Sequence, residues 1–172
     1  MSASPAPLQA LLEKPTVHLA GTDATLRLHL SRNLLNEILA ARPPDTPVQE
    51  LLLDPDDGQA HLHLEVQVPV LGTVHRRITL RPGPAVCFPD QPWLEFVITD
   101  GFKLFDKPIL KLMQGQIDER LPRGIELSAE HLRLHIPALL TAAGYQPLVP
   151  LLHRLEIQSV SNQLILTLHL VA

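Results

Sequence analysis

Aromatic side chains are scarce in this chain: Phe, Trp and Tyr together make up 3% of its 172 residues. The core therefore has to be aliphatic, with Leu and Val doing the packing that large rings share in other proteins. Cysteine is nearly missing too. The single Cys87 excludes an internal disulfide, and one thiol fits a reducing compartment. Basic runs are absent beyond the pair Arg76-Arg77, and the formal net charge is −4, so nothing marks a nucleic-acid partner. No apolar stretch approaches the roughly 18 residues of a membrane-spanning helix, so no transmembrane segment is expected. The opening residues, Met1 to Pro15, lack the basic start and continuous apolar run of a signal peptide, which points to a cytoplasmic location. Glycine-rich phosphate loops are missing as well, since Gly101-Phe102-Lys103 has too few glycines to form a cradle of N–H groups.

What the chain does have is 45% hydrophobic residues against 19% charged ones, the balance of a folded domain large enough to bury a core without staples. Residues 1–15, rich in Ser, Ala and Pro, read as a tail, with Leu8–Glu13 able to form a turn or two of helix. Residues 16–172 read as one α+β domain. Thr16–Ala20 and Thr25–Leu30 alternate as short strands around the turn Gly21-Thr22-Asp23. In the second, Leu26, Leu28 and Leu30 share the face expected to be buried. Ser31 is placed to cap a helix whose stripe is Leu34, Leu35, Ile38 and Leu39, ended by Pro43-Pro44. Val48–Leu53 is a strand, and Asp54-Pro55-Asp56-Asp57-Gly58 a turn.

The clearest strand is Ala60–Val70. Ala60, Leu62, Leu64, Val66, Val68 and Val70 face one side, while His61, His63, Glu65 and Gln67 face the other; Leu62, Leu64, Val66 and Val68 are expected to be buried and His61, His63 and Glu65 exposed. Leu71-Gly72-Thr73 returns the chain into Val74–Arg81, giving a long antiparallel hairpin. After the break Pro82-Gly83-Pro84, short strands follow around Val86 and at Trp93–Thr99, then a turn at Asp100-Gly101. The pattern predicts a second helix over Asp106–Arg120 with Ile109, Leu110, Leu112, Met113 and Ile117 on its apolar face. Ile125–Ala129, His131–Ile136, Arg154–Val160 and Gln163–Val171 are strands. Pro137–Leu152 is the least regular segment, with room for a short helix. The expected fold class is therefore α+β, a long antiparallel β-meander curled around one or two amphipathic helices.

Chemistry-bearing residues form no convincing constellation. His61 and His63 share a strand face, and His29 or His75 could add a third metal ligand. All of them alternate with aliphatics, however, as solvated residues on the polar face of a strand do, and no metal is expected. His131 and His135 lie about 13 Å apart on a strand. Cys87 reads as a small buried hydrophobe. Asp54, Asp56 and Asp57 lack the remaining spacing of a calcium loop. Asp118 and Glu119 are adjacent on a helix and do not face each other. No cofactor is implied, and a non-enzymatic protein is expected.

The order of elements resembles the tubular lipid-binding (TULIP-like) superfamily, particularly its small bacterial members. The likeness rests on a helix at Ser31–Ala40, strands over Val48–Thr99, a helix at Asp106–Arg120 and closing strands over Ile125–Val171. The junction Ile117–Leu127 and the final hairpin, Leu155-Glu156-Ile157 to Leu164-Ile165-Leu166, are similar too. The resemblance implies a sheet curled around a helix and holding a lipid or another apolar small molecule. Its groove would be lined by Leu62, Leu64, Val66 and Val68 opposite Ile109, Leu112, Met113 and Ile117. The alternative is a protein-interaction or scaffold module of the same fold with a filled core. A histidine-dependent metal hydrolase is the third reading.

Overall fold

The computed structural model describes residues 14–40, 48–68, 72–101 and 124–172. It begins with a four-residue helix, α1 (Pro15–His18), where alternation predicted a strand over Thr16–Ala20. Pro15, pre-set for a first helical turn, explains the difference: it is fully buried, and its carbonyl accepts the N–H of Leu19. Next come β1 (Asp23–Ser31), α2 (Arg32–Ala40), β2 (Val48–Asp56), β3 (Gln59–Val68) and β4 (Gly72–Pro82). They are followed by β5 (Val86–Cys87), β6 (Trp93–Asp100), β7 (Ile125–Leu127) and β8 (His131–His135). The short helix α3 (Ile136–Ala142), a 3-10 turn (Gln146–Leu151), β9 (Leu152–Val160) and β10 (Gln163–Val171) complete the described chain. The segment that carries the second predicted helix lies outside the described residues, as does the N-terminal tail before Lys14.

All strand pairs are antiparallel, and they fall into two sheets rather than one meander. One has the order β1-β10-β9-β5 and the other β2-β3-β4-β6-β8-β7. The break at Pro82-Gly83-Pro84 accounts for the division. It carries the chain out of the larger sheet so that Val86 and Cys87 pair with Leu155 and Arg154 of β9. In this two-residue strand Val86 points inward and Cys87 outward. Cys87 is therefore exposed, contrary to its expected burial.

The apolar faces of the two sheets share one core of Ile78, Leu80, Val86, Phe88, Leu94, Phe96, Leu152 and Leu155. Six of the eight are aliphatic, as the shortage of rings requires. The sheets are fastened at one corner, where the β2–β3 turn meets the β9–β10 turn. Gly58 donates its N–H to the carbonyl of Ser159, and the buried Ser159 hydroxyl donates to the carbonyl of Gln59 at 2.7 Å. Ser161 donates its N–H to the Asp57 carboxylate at 2.9 Å, and Asn162 donates its own to the carbonyl of Pro55. Strand β2 therefore runs on through Asp54 and Pro55, which were expected to be turn. Pro55 has no N–H to lose, and its carbonyl is occupied at the corner.

Ser31 caps α2 as expected, its hydroxyl accepting the N–H of Leu34. The predicted apolar stripe does not hold together. Leu35 and Leu39 are half-buried, but Leu34 and Ile38 are exposed, Ile38 at 60%. The helix docks instead through Asn36, whose amide donates to the carbonyl of Leu53 at 3.2 Å and accepts the N–H of Leu53 at 2.7 Å. Asn36 thus mimics a neighbouring strand and covers part of the free edge of β2.

Candidate functional site

Strand register decides which side chains share a face, because directly opposed residues point the same way. In the larger sheet Leu62 lies opposite Ile78, Leu64 opposite Arg76 and Val66 opposite Val74. In the smaller sheet Leu26, Leu28 and Leu30 lie opposite Leu168, Leu166 and Leu164, and Leu168 and Leu166 lie opposite Leu155 and Ile157. Two aliphatic faces result. Leu62, Leu64, Ile157, Leu166, Leu168 and Leu170 all pack, partly buried, against the shared core.

The cover thins toward β1. Leu155 is buried, its neighbours Leu166 and Leu168 are half-buried, and Leu26 and Leu28 at the edge are 46% and 43% exposed. The alternation over Thr25–Leu30 predicted a buried face here. The strand forms where expected, but that face lies open, because β1 is the outermost strand of its sheet and nothing described lies over it.

Of the predicted groove residues, Leu62 and Leu64 stand on the core-facing side of β3 as expected. Val66 and Val68 continue the strand, paired with Val74 and Gly72, but their side chains lie outside the described residues. Ile109, Leu112, Met113 and Ile117 also lie outside them. One residue that alternation alone did not single out is Arg76. It stands half-buried on the aliphatic face, between Val74 and Ile78 in the strand and opposite Leu64, and its guanidinium donates to the carbonyl of His75 at 2.9 Å. Its place after Val74 in an alternating strand was the available signal.

The opposite faces are mainly polar and knit by cross-strand pairs, although Ile165 is buried on that of the smaller sheet. His61, His63 and Glu65, expected to be exposed, are half-buried. The reason is lateral cover: His61 Nδ1 is 3.2 Å from Thr79 Oγ1, Glu65 Oε2 is 3.4 Å from His75 Nδ1, and His63 lies between Leu52 and Arg77. On β6–β8, His131 Nδ1 approaches Glu95 Oε1 at 2.7 Å. The ring N–H is not aimed at the oxygen, so the pair is an ionic contact when the ring is protonated rather than an aligned hydrogen bond. Arg133 reaches Glu126 at 3.2 Å and stacks over Trp93 at 4.9 Å. His169 Nε2 meets Asp23 at 2.7 Å. Among the described residues no three His, Cys, Asp or Glu side chains converge on one point.

A second apolar concavity, about 480 Å³, lies between the 3-10 turn and β5, lined by Phe88, Pro89, Pro137, Val149 and Leu152 with His153 at its polar side. Its volume suits a small ligand. It sits away from the Leu26–Leu28 face, beside Val171 at the end of β10. No helix among the described residues is long and apolar enough to cross a membrane. In comparisons with known proteins, no protein-family model matches the chain, and neither a curated protein nor a solved structure is significantly similar to it.

Proposed function

We propose that this chain is a non-enzymatic binding domain for a lipid or another long apolar molecule, held along the aliphatic faces of its two sheets. The observation that carries this reading is the gradient of cover across one leucine face, from buried Leu155 through Leu166 and Leu168 to open Leu26 and Leu28. A contiguous aliphatic strip that leaves the core and reaches solvent is costly for a protein with nothing to place on it. Each fully exposed Leu forgoes about 1.5–3 kcal/mol of burial. An alkyl chain has the shape and chemistry to recover that burial. The scarcity of rings suits the same ligand, since flexible aliphatic walls adapt to a flexible chain. The likeness of element order to tubular lipid-binding proteins supports this reading and adds a curled sheet packed on a helix.

The test is a titration with a fluorescent fatty acid, alongside native mass spectrometry of lipids carried through purification. Leu166→Asp places a charge in the strip and is expected to abolish binding. Val149→Trp, which fills the concavity beside the 3-10 turn, is expected to leave binding intact. Wild-type protein that binds no probe and carries no lipid would sink the proposal. Loss of binding in Val149→Trp alone would move the site to that concavity.

A further inference from the structure

We infer that β1 pairs antiparallel with β1 of a second copy of this chain, about a two-fold axis through Leu26. Folded proteins normally shorten, cover or block the open edges of their sheets. Among the described residues, three of the four outermost strands are handled in this way, at least in part. β5 has two residues and β7 three, and Asn36 engages both backbone groups of Leu53 on β2. The fourth edge, β1, is nine residues long and carries no proline or bulge.

The hydrogen-bond parity of β1 is set at both of its ends. Ala172 donates its N–H to the carbonyl of Thr22, and Arg32 donates to the carbonyl of Asn162. Even-numbered residues thus turn their backbone groups toward β10. Asp23, Thr25, Arg27 and His29 turn theirs outward, where no described group pairs with them. All four side chains are exposed.

Self-pairing must also keep the leucine face on one side, with at least one leucine opposite another, and three central registers do so. Centred on Arg27, the two Arg27 guanidinium groups would oppose each other. Centred on Leu28, Arg27 would oppose His29, two cations when the imidazole is protonated. Centred on Leu26, Asp23 faces His29 and Arg27 faces Thr25, each twice by symmetry. Leu26 then meets its own copy, and Leu28 meets Ala24. Asp23 keeps one carboxylate oxygen beyond the one that faces His169, and His29 keeps the ring nitrogen not turned toward Gln163. The contact is isologous and closed, so it ends at a dimer. The two leucine faces join into one eight-stranded strip, and the interface uses backbone edges while leaving that strip open.

The register makes a sharp prediction. Leu26 would form a non-hydrogen-bonded pair with itself, with Cα atoms about 4.5 Å apart, within the span of a disulfide. Leu28 would have no such partner. Both side chains are nearly half exposed, so cysteine is tolerated at either position. With Cys87 replaced by Ser, Leu26→Cys and Leu28→Cys are oxidised under mild conditions and resolved on non-reducing gels. Sedimentation of the wild-type chain is measured beside them. The expected result is a wild-type dimer and a Leu26→Cys cross-link forming at least an order of magnitude faster than that of Leu28→Cys. A wild-type chain that stays monomeric up to high micromolar concentration, or a Leu28→Cys cross-link as fast as that of Leu26→Cys, would overturn the inference.

Discussion

Asn36 holds Leu53 by both of its backbone groups, and its contribution can be measured. Asn36→Ala leaves an N–H and a C=O beneath a docked helix without partners, at an expected cost of about 1–3 kcal/mol. Asn36→Asp keeps the acceptor and loses the donor, so it should fall between the two. Urea unfolding midpoints check the order, and an unchanged midpoint for Asn36→Ala would mean that water replaces the amide at no cost. The contrast with Ser31 shows what a sequence reveals at this scale. Ser31 caps the N–H of Leu34, three residues on, and so short a contact is legible from spacing alone. Asn36 acts on a strand 17 residues away. Its role depends on where the helix docks, and that docking also turns Leu34 and Ile38 outward. The exposure of Cys87 is not legible locally for a similar reason: its direction is set by a two-residue pairing with distant β9.

At the scale of elements, strands were the most legible feature. Period two survives any sheet arrangement, so β10 and the β3–β4 hairpin form where the alternation placed them, although Ile165, on the other face from Leu164, is buried as well. What alternation cannot reveal is how many layers cover a face. Leu62 and Leu26 have the same local pattern, yet one packs against the core and the other lies open at an edge. The turn at Asp100-Gly101 was legible, but the reason for its glycine was not. Gly101 has φ +124°, and a Cβ there would sit 2.6 Å from the Arg77 carbonyl oxygen and 2.7 Å from the Ile78 Cα. Both obstacles are backbone of a central strand and cannot swing aside. Gly101→Ala is expected to cost more than the roughly 1–3 kcal/mol of a strained backbone conformation alone. Thermal melting should show a large drop. By comparison Gly58→Ala, at φ +71° with nothing near its Cβ, should show a small one. Equal melting shifts would show that β4 relaxes away from the turn.

At the scale of the whole molecule the question is what kind of apolar ligand the aliphatic faces would take. Arg76 bears on it, because it is a cation on a face otherwise made of Leu62, Leu64, Val74 and Ile78, and it is half-buried there. A guanidinium costs free energy to withdraw from water, so its stem suits the aliphatic wall while its head stays at the rim. That arrangement fits an amphiphile with an anionic head and an alkyl tail better than a neutral hydrocarbon. A hydrogen bond to a charged partner is worth about 1.5–3 kcal/mol, equivalent to roughly tenfold or more in Kd. On the proposed function, Arg76→Gln should therefore weaken binding of a long-chain fatty acid by about that factor while leaving its methyl ester unchanged. Arg76→Lys should recover part of the loss, since it restores charge without the planar fork. Calorimetry with the acid and the ester on all three proteins separates the outcomes. Equal weakening of acid and ester would assign Arg76 a packing role, and the ligand would then be recognised by its tail alone.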